Sequence, residues 1–92
     1  MSSPQQKLRR RSGIETRLVP EGAILVDMNT GRCYRLNRVG AEIWSMLETP
    51  AGLPDLSAGV AARYSRAVEA IRDEVQALVE HLTKEQLLEP VA

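Results

Sequence analysis

The chain has 92 residues, of which 43% are hydrophobic but only 3% aromatic, with one Trp, two Tyr and no Phe. A chain of this size buries roughly 64% of its extended surface; that is enough for one small aliphatic core and excludes a multi-domain enzyme or a large enclosed active site. Twelve Lys+Arg balance twelve Asp+Glu, which excludes a generic polyanion binder, but the neutrality is a partition: residues 1–46 carry eight basic and four acidic side chains, and residues 47–92 reverse the count.

Residues 1–13 (MSSPQQKLRRRSG) are polar and basic, with Leu8 the sole apolar residue after Met1. Such a segment cannot bury enough surface to offset its ordering entropy, so a disordered basic tail is expected, followed by one domain over residues 14–92. The Arg9-Arg10-Arg11 run reads as a solubilising end or, failing that, as a phosphate contact. Ile14, Thr16 and Leu18 alternate with Glu15 and Arg17, the period-2 pattern of a half-buried strand. Pro20-Glu21-Gly22 turns the chain, and residues 23–28 form a second strand. Asp27, Asn29 and Gly31 then supply the side-chain acceptors and the positive φ of a hairpin. Residues 32–36 complete a three-stranded antiparallel meander.

At Asn37, a good N-cap, the period becomes helical: Val39, Ile43, Met46 and Leu47 recur on one face, flanked by Gly40 and Trp44. Residues 49–52 (Thr-Pro-Ala-Gly) break that helix, and Pro54 suits the first turn of a second, with Leu56, Val60 and Tyr64 on its buried face. Gly59 weakens this helix by roughly 1 kcal/mol relative to Ala. Ser65 is the expected cap of a third and longest helix with the stripe Val68, Ile71, Val75, Leu78, Val79 and Leu82. Residues 87–92 form an apolar tail that packs back as a short extended piece. Strands and helices are therefore segregated, an α+β order with a small sheet covered on one face by three helices.

The residues of catalysis are sparse. His81 and Cys33 are the only histidine and cysteine; neither has a partner at metal-ligand spacing, and no internal disulfide can form. His81 reads as a partly exposed surface residue. The six glycines are scattered, with no phosphate loop, and Asp73 and Glu74 point to different sides of a helix. No enzymatic activity, metal or cofactor is expected. No segment has the length of a signal peptide core or a membrane span, so the expected setting is cytoplasmic, without a membrane partner.

Binding remains. The strand over residues 32–36 lies at an edge of the meander, where unpaired backbone groups can accept a peptide as an added strand. Arg32 and Arg35 either pair with an acidic peptide or act as gatekeepers against aggregation. Ala67 and Ala70, running on to Glu74, leave room for a groove beside the third helix, or simply reflect alanine's helix propensity.

The segments Ile24-Leu25-Val26-Asp27, Thr30-Gly31-Arg32-Cys33-Tyr34-Arg35-Leu36-Asn37 and Gly40-Ala41-Glu42-Ile43-Trp44 resemble the PqqD-like proteins. These are the leader-peptide recognition elements (RREs) of pathways that make ribosomally synthesised, post-translationally modified peptides (RiPPs). The likeness continues through Val60-Ala61-Ala62-Arg63-Tyr64 to Leu87-Leu88 and spans roughly residues 14–90. The Thr-Gly-Arg and Leu-Asn spacing is closer to stand-alone members of lasso-peptide clusters. The resemblance implies a winged-helix-like domain of three strands and three helices. It also implies that a precursor's leader adds to the third strand beside the third helix and is delivered to a separate enzyme, a leader peptidase in lasso pathways. On this chain the implied peptide-binding residues are Arg32, Cys33, Tyr34, Arg35 and Leu36 on the strand, with Ala67, Ile71, Glu74, Val75 and Leu78 on the helix. One departure is Gln86, where relatives commonly carry glycine before the final Leu-Leu, which leaves the end of the third helix open.

The alternative is a winged-helix nucleic-acid binder, with the tri-arginine run on phosphates. Against it, the third helix carries Glu69, Asp73, Glu74 and Glu80 with only Arg66, Arg72 and Lys84, a poor pattern for a major groove. No nucleic-acid partner is therefore expected. An open sheet edge also allows a homodimer.

Overall fold

The computed structural model describes residues 6–91. Eight elements follow in order: β1 (Leu8–Arg10), β2 (Ile14–Val19), β3 (Gly22–Asp27), β4 (Cys33–Asn37), α1 (Arg38–Met46), α2 (Leu53–Arg63), α3 (Val68–Lys84) and β5 (Leu88–Pro90). The meander is the antiparallel sheet β2-β3-β4. Its register pairs Thr16 with Leu25 and Leu25 with Tyr34, so Ala23, Leu25 and Leu36 share the buried face. Gly22 makes the β2–β3 turn possible: its φ is +153°, and a Cβ there would run into the Leu36 carbonyl oxygen on β4.

α1 starts as the sequence predicts, with the Asn37 side chain accepting a bond from the Gly40 amide at 2.8 Å. It packs on β3 and β4, while α2 packs mainly on α3. The core joins Ile43, Trp44 and Leu47 of α1, Leu56 and Val60 of α2, and Ile71, Val75, Val79 and Leu82 of α3. Tyr64 is a correction: it falls just past the end of α2 and is 39% exposed rather than on the buried face.

Ser65 is also not the cap of α3; that position belongs to Ala67. Ser65 instead adopts a left-handed φ of 53° and closes α2. The Arg66 amide reaches back to the Ala61 carbonyl at 2.9 Å, and the Ser65 amide to that of Ala62 at 3.4 Å. That double bond pattern is a Schellman motif. α3 ends the same way: Gln86 has φ 62°, the Leu87 amide bonds the Leu82 carbonyl at 2.9 Å, and the Gln86 amide bonds that of Thr83 at 3.0 Å. Buried Leu82 and Leu87 supply the apolar contact of the motif. Gln86 thus takes the conformation that glycine favours without being glycine, and α3 ends at Lys84.

The disordered tail expected over residues 1–13 is corrected where the structure describes it; residues 1–5 lie outside the described residues. β1 pairs antiparallel with β5, Arg9 opposite Glu89, and Leu8 exchanges both backbone bonds with Ala51 at 2.8 and 3.0 Å. Leu8 is buried. The guanidinium of Arg10 lies 4.6 Å from the centroid of the Trp44 ring and donates from both Nε and Nη2 to the Trp44 carbonyl oxygen. Burial draws the Arg10 guanidinium below its ordinary pKa, and the Glu48 carboxylate partly offsets this. Arg9 and Arg11 lie on the surface against Glu89, at 2.8 and 3.6 Å. The three arginines are therefore unequal. The partners that order this segment, β5, Ala51 and Trp44, lie more than thirty residues further along the chain, beyond the reach of any local pattern.

Two outcomes are expected from urea unfolding. Arg10→Ala loses a cation–π contact and charge-assisted bonds and costs about 2 kcal/mol, whereas Arg9→Ala and Arg11→Ala each cost less than about 1 kcal/mol. Gln86→Gly relieves left-handed strain and stabilises by about 1 kcal/mol.

Candidate peptide-binding groove

Among the described residues β4 has β3 on one side and no strand on the other. Which of its backbone groups face the open side follows from one hydrogen bond. The Asp27 amide donates to the Arg32 carbonyl at 2.9 Å, so Asp27 and Arg32 are bonded across the hairpin. In an antiparallel ladder bonded and non-bonded pairs alternate. Leu25–Tyr34 and Ala23–Leu36 are therefore bonded pairs, while the backbone groups of Cys33 and Arg35 point away from β3, into the open edge.

The hairpin that sets this phase is held by Asp27. Its carboxylate accepts the Asn29 amide at 2.9 Å, and its carbonyl accepts the Gly31 amide at 2.7 Å, with Gly31 at φ 79°. Backbone bonding from Asn29 leads the groups that hold this carboxyl below the ordinary carboxylate range, opposed by partial burial.

Between the open edge and the C-terminal half of α3 runs a trough lined by Cys33, Tyr34, Arg35, Leu36 and Asn37 on one wall and Leu78, His81 and Leu82 on the other. Its volume is about 380 Å³, toward the small end of the roughly 300–1,000 Å³ of small-molecule pockets. Cys33, Arg35 and His81 are all exposed, so it is an open channel along a strand. A polar extension beyond Tyr34 is bordered by Asp27, Thr30, Arg32, Lys84, Glu85 and Gln86. Here the Tyr34 hydroxyl donates to Glu85 Oε2 at 3.3 Å, and Arg32 Nη1 lies 3.9 Å from the same oxygen. With Arg32 71% exposed, that ion pair is weakly held and open to exchange for another partner.

The strand residues Arg32, Cys33, Tyr34, Arg35 and Leu36 all border this channel. Their roles divide by parity: Tyr34 and Leu36 turn side chains inward, whereas Cys33 and Arg35 offer backbone, their side chains projecting to the opposite face of the sheet. Arg32 and Arg35 thus do not form one basic wall. On the helix, of the five residues expected, only Leu78 lines the trough. Ile71 and Val75 are corrections, since both are wholly buried in the core and present no surface. Ala67 and Glu74 are exposed on the N-terminal half of α3, outside the trough, with Glu74 4.0 Å from Arg66. The acidic group facing β4 is Glu85. His81, Leu82, Asn37 and Glu85 were not anticipated as site residues. Leu78, His81 and Leu82 share the i, i+3, i+4 spacing of one helix face, a signal present in the sequence but without a pointer to the turn of α3 that meets β4.

Among the described residues no three His, Cys, Asp or Glu side chains gather to hold a metal, and no helix is long and apolar enough to cross a membrane.

Two solved structures share this fold. TbiB1 in complex with the TbiA(β) leader peptide is 22% identical with a TM-score of 0.78, over 91% of this chain and 98% of TbiB1. The PqqD truncation of Methylobacterium extorquens PqqCD, a functional and stand-alone RiPP recognition element, is 13% identical with a TM-score of 0.78, over 95% of this chain and 93% of that one. No functionally curated protein matches the chain. The family of coenzyme PQQ synthesis protein D (PqqD) matches residues 22–88, from the first residue of β3 into β5 and so including both walls of the groove, and the chain belongs to that family.

Proposed function

We propose that this protein binds the leader segment of a ribosomally made precursor peptide as an added antiparallel strand on β4. The observation that carries this reading is the open edge itself: outward-facing backbone groups at Cys33 and Arg35, alongside a trough walled by Leu78, His81 and Leu82. Main-chain bonds supply affinity on such an edge, and alternate side chains of the guest supply specificity. Every second guest residue turns toward the helix. An antiparallel guest therefore places its earlier inward residue beside Leu36, Leu78 and Leu82 and a later one beside Tyr34. The polar extension at Arg32 and Glu85 then receives the next.

The family is one of recognition elements, and the protein is not an enzyme; the bound precursor is passed to a separate processing enzyme. TbiB1, of the same fold, forms a complex with a leader peptide, which supports the same class of occupant here. The Thr30-Gly31-Arg32 and Leu36-Asn37 spacing favours a lasso-peptide pathway, with a leader peptidase as the receiving enzyme. A duplex-binding reading loses support, because Arg10 is engaged with Trp44 and the acidic Glu89 sits between Arg9 and Arg11.

The test is calorimetric titration with a synthetic peptide matching the leader encoded beside this chain's gene, paired with amide exchange. Binding is expected to slow exchange at Cys33 and Arg35, whose amides are open in the free protein, more than at Tyr34 and Leu36, which already face β3. Cys33→Pro removes an outward donor without breaking a ladder bond and is expected to weaken binding at least about tenfold. Unchanged affinity in a folded Cys33→Pro variant, or protection at β2 instead, contradicts the assignment.

A further inference from the structure

Among the described residues the sheet has a second free edge, on β2, and its sequence fits itself. The Met28 amide donates to the Gly13 carbonyl at 2.8 Å, which makes Gly13–Met28 a bonded pair. By the same alternation, Glu15–Val26 and Arg17–Ile24 are bonded pairs, and the backbone groups of Ile14, Thr16 and Leu18 point outward. Side chains alternate with the same period. Ile14, Thr16 and Leu18 lie on the helix-facing side of the sheet, with Glu15 and Arg17 on the other. Leu18 is 77% exposed, the most exposed of the large hydrophobic residues among those described, although its face of the sheet is the core face. The helices do not reach it: α1 packs on β3 and β4, inboard of the edge.

We propose that β2 pairs antiparallel with β2 of a second copy of this chain, about a two-fold axis through Thr16. A two-fold perpendicular to the sheet keeps both helical layers on one side and matches residues of equal parity. Thr16 then faces Thr16, an outward-facing pair that exchanges both backbone bonds. Ile14 faces Leu18 of the other copy in two further bonded pairs, covering the exposed leucine with an apolar partner. Glu15 faces Arg17, and Arg17 faces Glu15, in the closer non-bonded positions where opposite charges on a strand pair attract. A one-residue change of register places outward groups against inward ones and mixes the two faces, and moving the axis to Glu15 or Arg17 sets like charges directly opposite one another. The Thr16 hydroxyl does not interfere, because it is turned inward and accepts the Trp44 indole N–H at 2.7 Å. The interface is isologous and closes at two copies. It lies across the sheet from β4, leaving both peptide grooves open, so it is independent of the leader-binding reading.

A single short strand pair buries less than the roughly 1,200–2,000 Å² of stable complexes, so the association is weak and concentration-dependent. Sedimentation equilibrium of the full chain, from about 10 μM to about 1 mM, is expected to show a mass rising from 10.2 kDa toward twice that value. Glu15→Arg alone and Arg17→Glu alone each set like charges opposite one another and are expected to hold the protein monomeric. The double variant Glu15→Arg/Arg17→Glu restores complementarity and the dimer. Leu18→Lys, at a solvent-exposed position, provides a second disrupting change with little demand on the fold, and circular dichroism confirms that each variant is folded. A monomer at every concentration, a dimer insensitive to either single reversal, a double variant that fails to recover, or a dimer dissolved by saturating leader peptide overturns the proposal.

Discussion

The bond from the Asp27 amide to the Arg32 carbonyl sets the phase on which the rest of the sheet depends. In a strand the direction of a backbone group and the face of a side chain both have period two, so one fixed pair determines every other. From it follow the burial of Ala23, Leu25 and Leu36, the inward turn of Tyr34 and the outward amides of Cys33 and Arg35. Slipping β4 by one residue would put Leu36 in solvent and turn the outward groups of Cys33 and Arg35 toward β3. The turn is accordingly over-determined: Asp27 accepts from Asn29 through its side chain and from Gly31 through its carbonyl, and the Thr30 hydroxyl accepts the Arg32 amide at 3.2 Å.

The charge partition takes on a structural meaning. The basic half and the acidic half meet at particular places: Arg9 and Arg11 at Glu89, and Arg32 at Glu85, with Arg63 and Glu42 pairing in the reverse sense. These pairs involve exposed arginines and contribute little stability individually. Their value lies in position. The Glu89 cluster ties the two ends of the chain together beside the Schellman turn at Gln86, and that turn fixes Glu85 at the polar end of the groove. The contact of Arg10 with Trp44 couples the same strap to the core.

Features governed by local chemistry were legible in the sequence. The meander, the Asp27–Gly31 hairpin, the Asn37 cap and the α3 stripe each rest on neighbours within a few residues. β1 was illegible because a three-residue strand with one apolar side chain has no period; its order comes from β5, Ala51 and Trp44. Ser65 misled for a chemical reason: serine favours helix starts, and without glycine its left-handed role at the end of α2 left no mark. Gln86 hid the same device at the end of α3. For the groove, the strand half was readable from the edge position of residues 32–36. The helix half was not. Periodicity gives the buried phase of α3, but only tertiary docking decides that Leu78, His81 and Leu82, rather than Ala67 and Glu74, stand opposite β4.

Isotope-edited NMR of the labelled protein with an unlabelled leader peptide tests the central claim most directly. Strand addition on β4 predicts cross-strand contacts between guest backbone protons and those of Cys33 and Arg35, with guest side-chain contacts to Leu78, His81 and Leu82. Contacts confined to β2, or to the N-terminal half of α3 around Ala67 and Glu74, would contradict it.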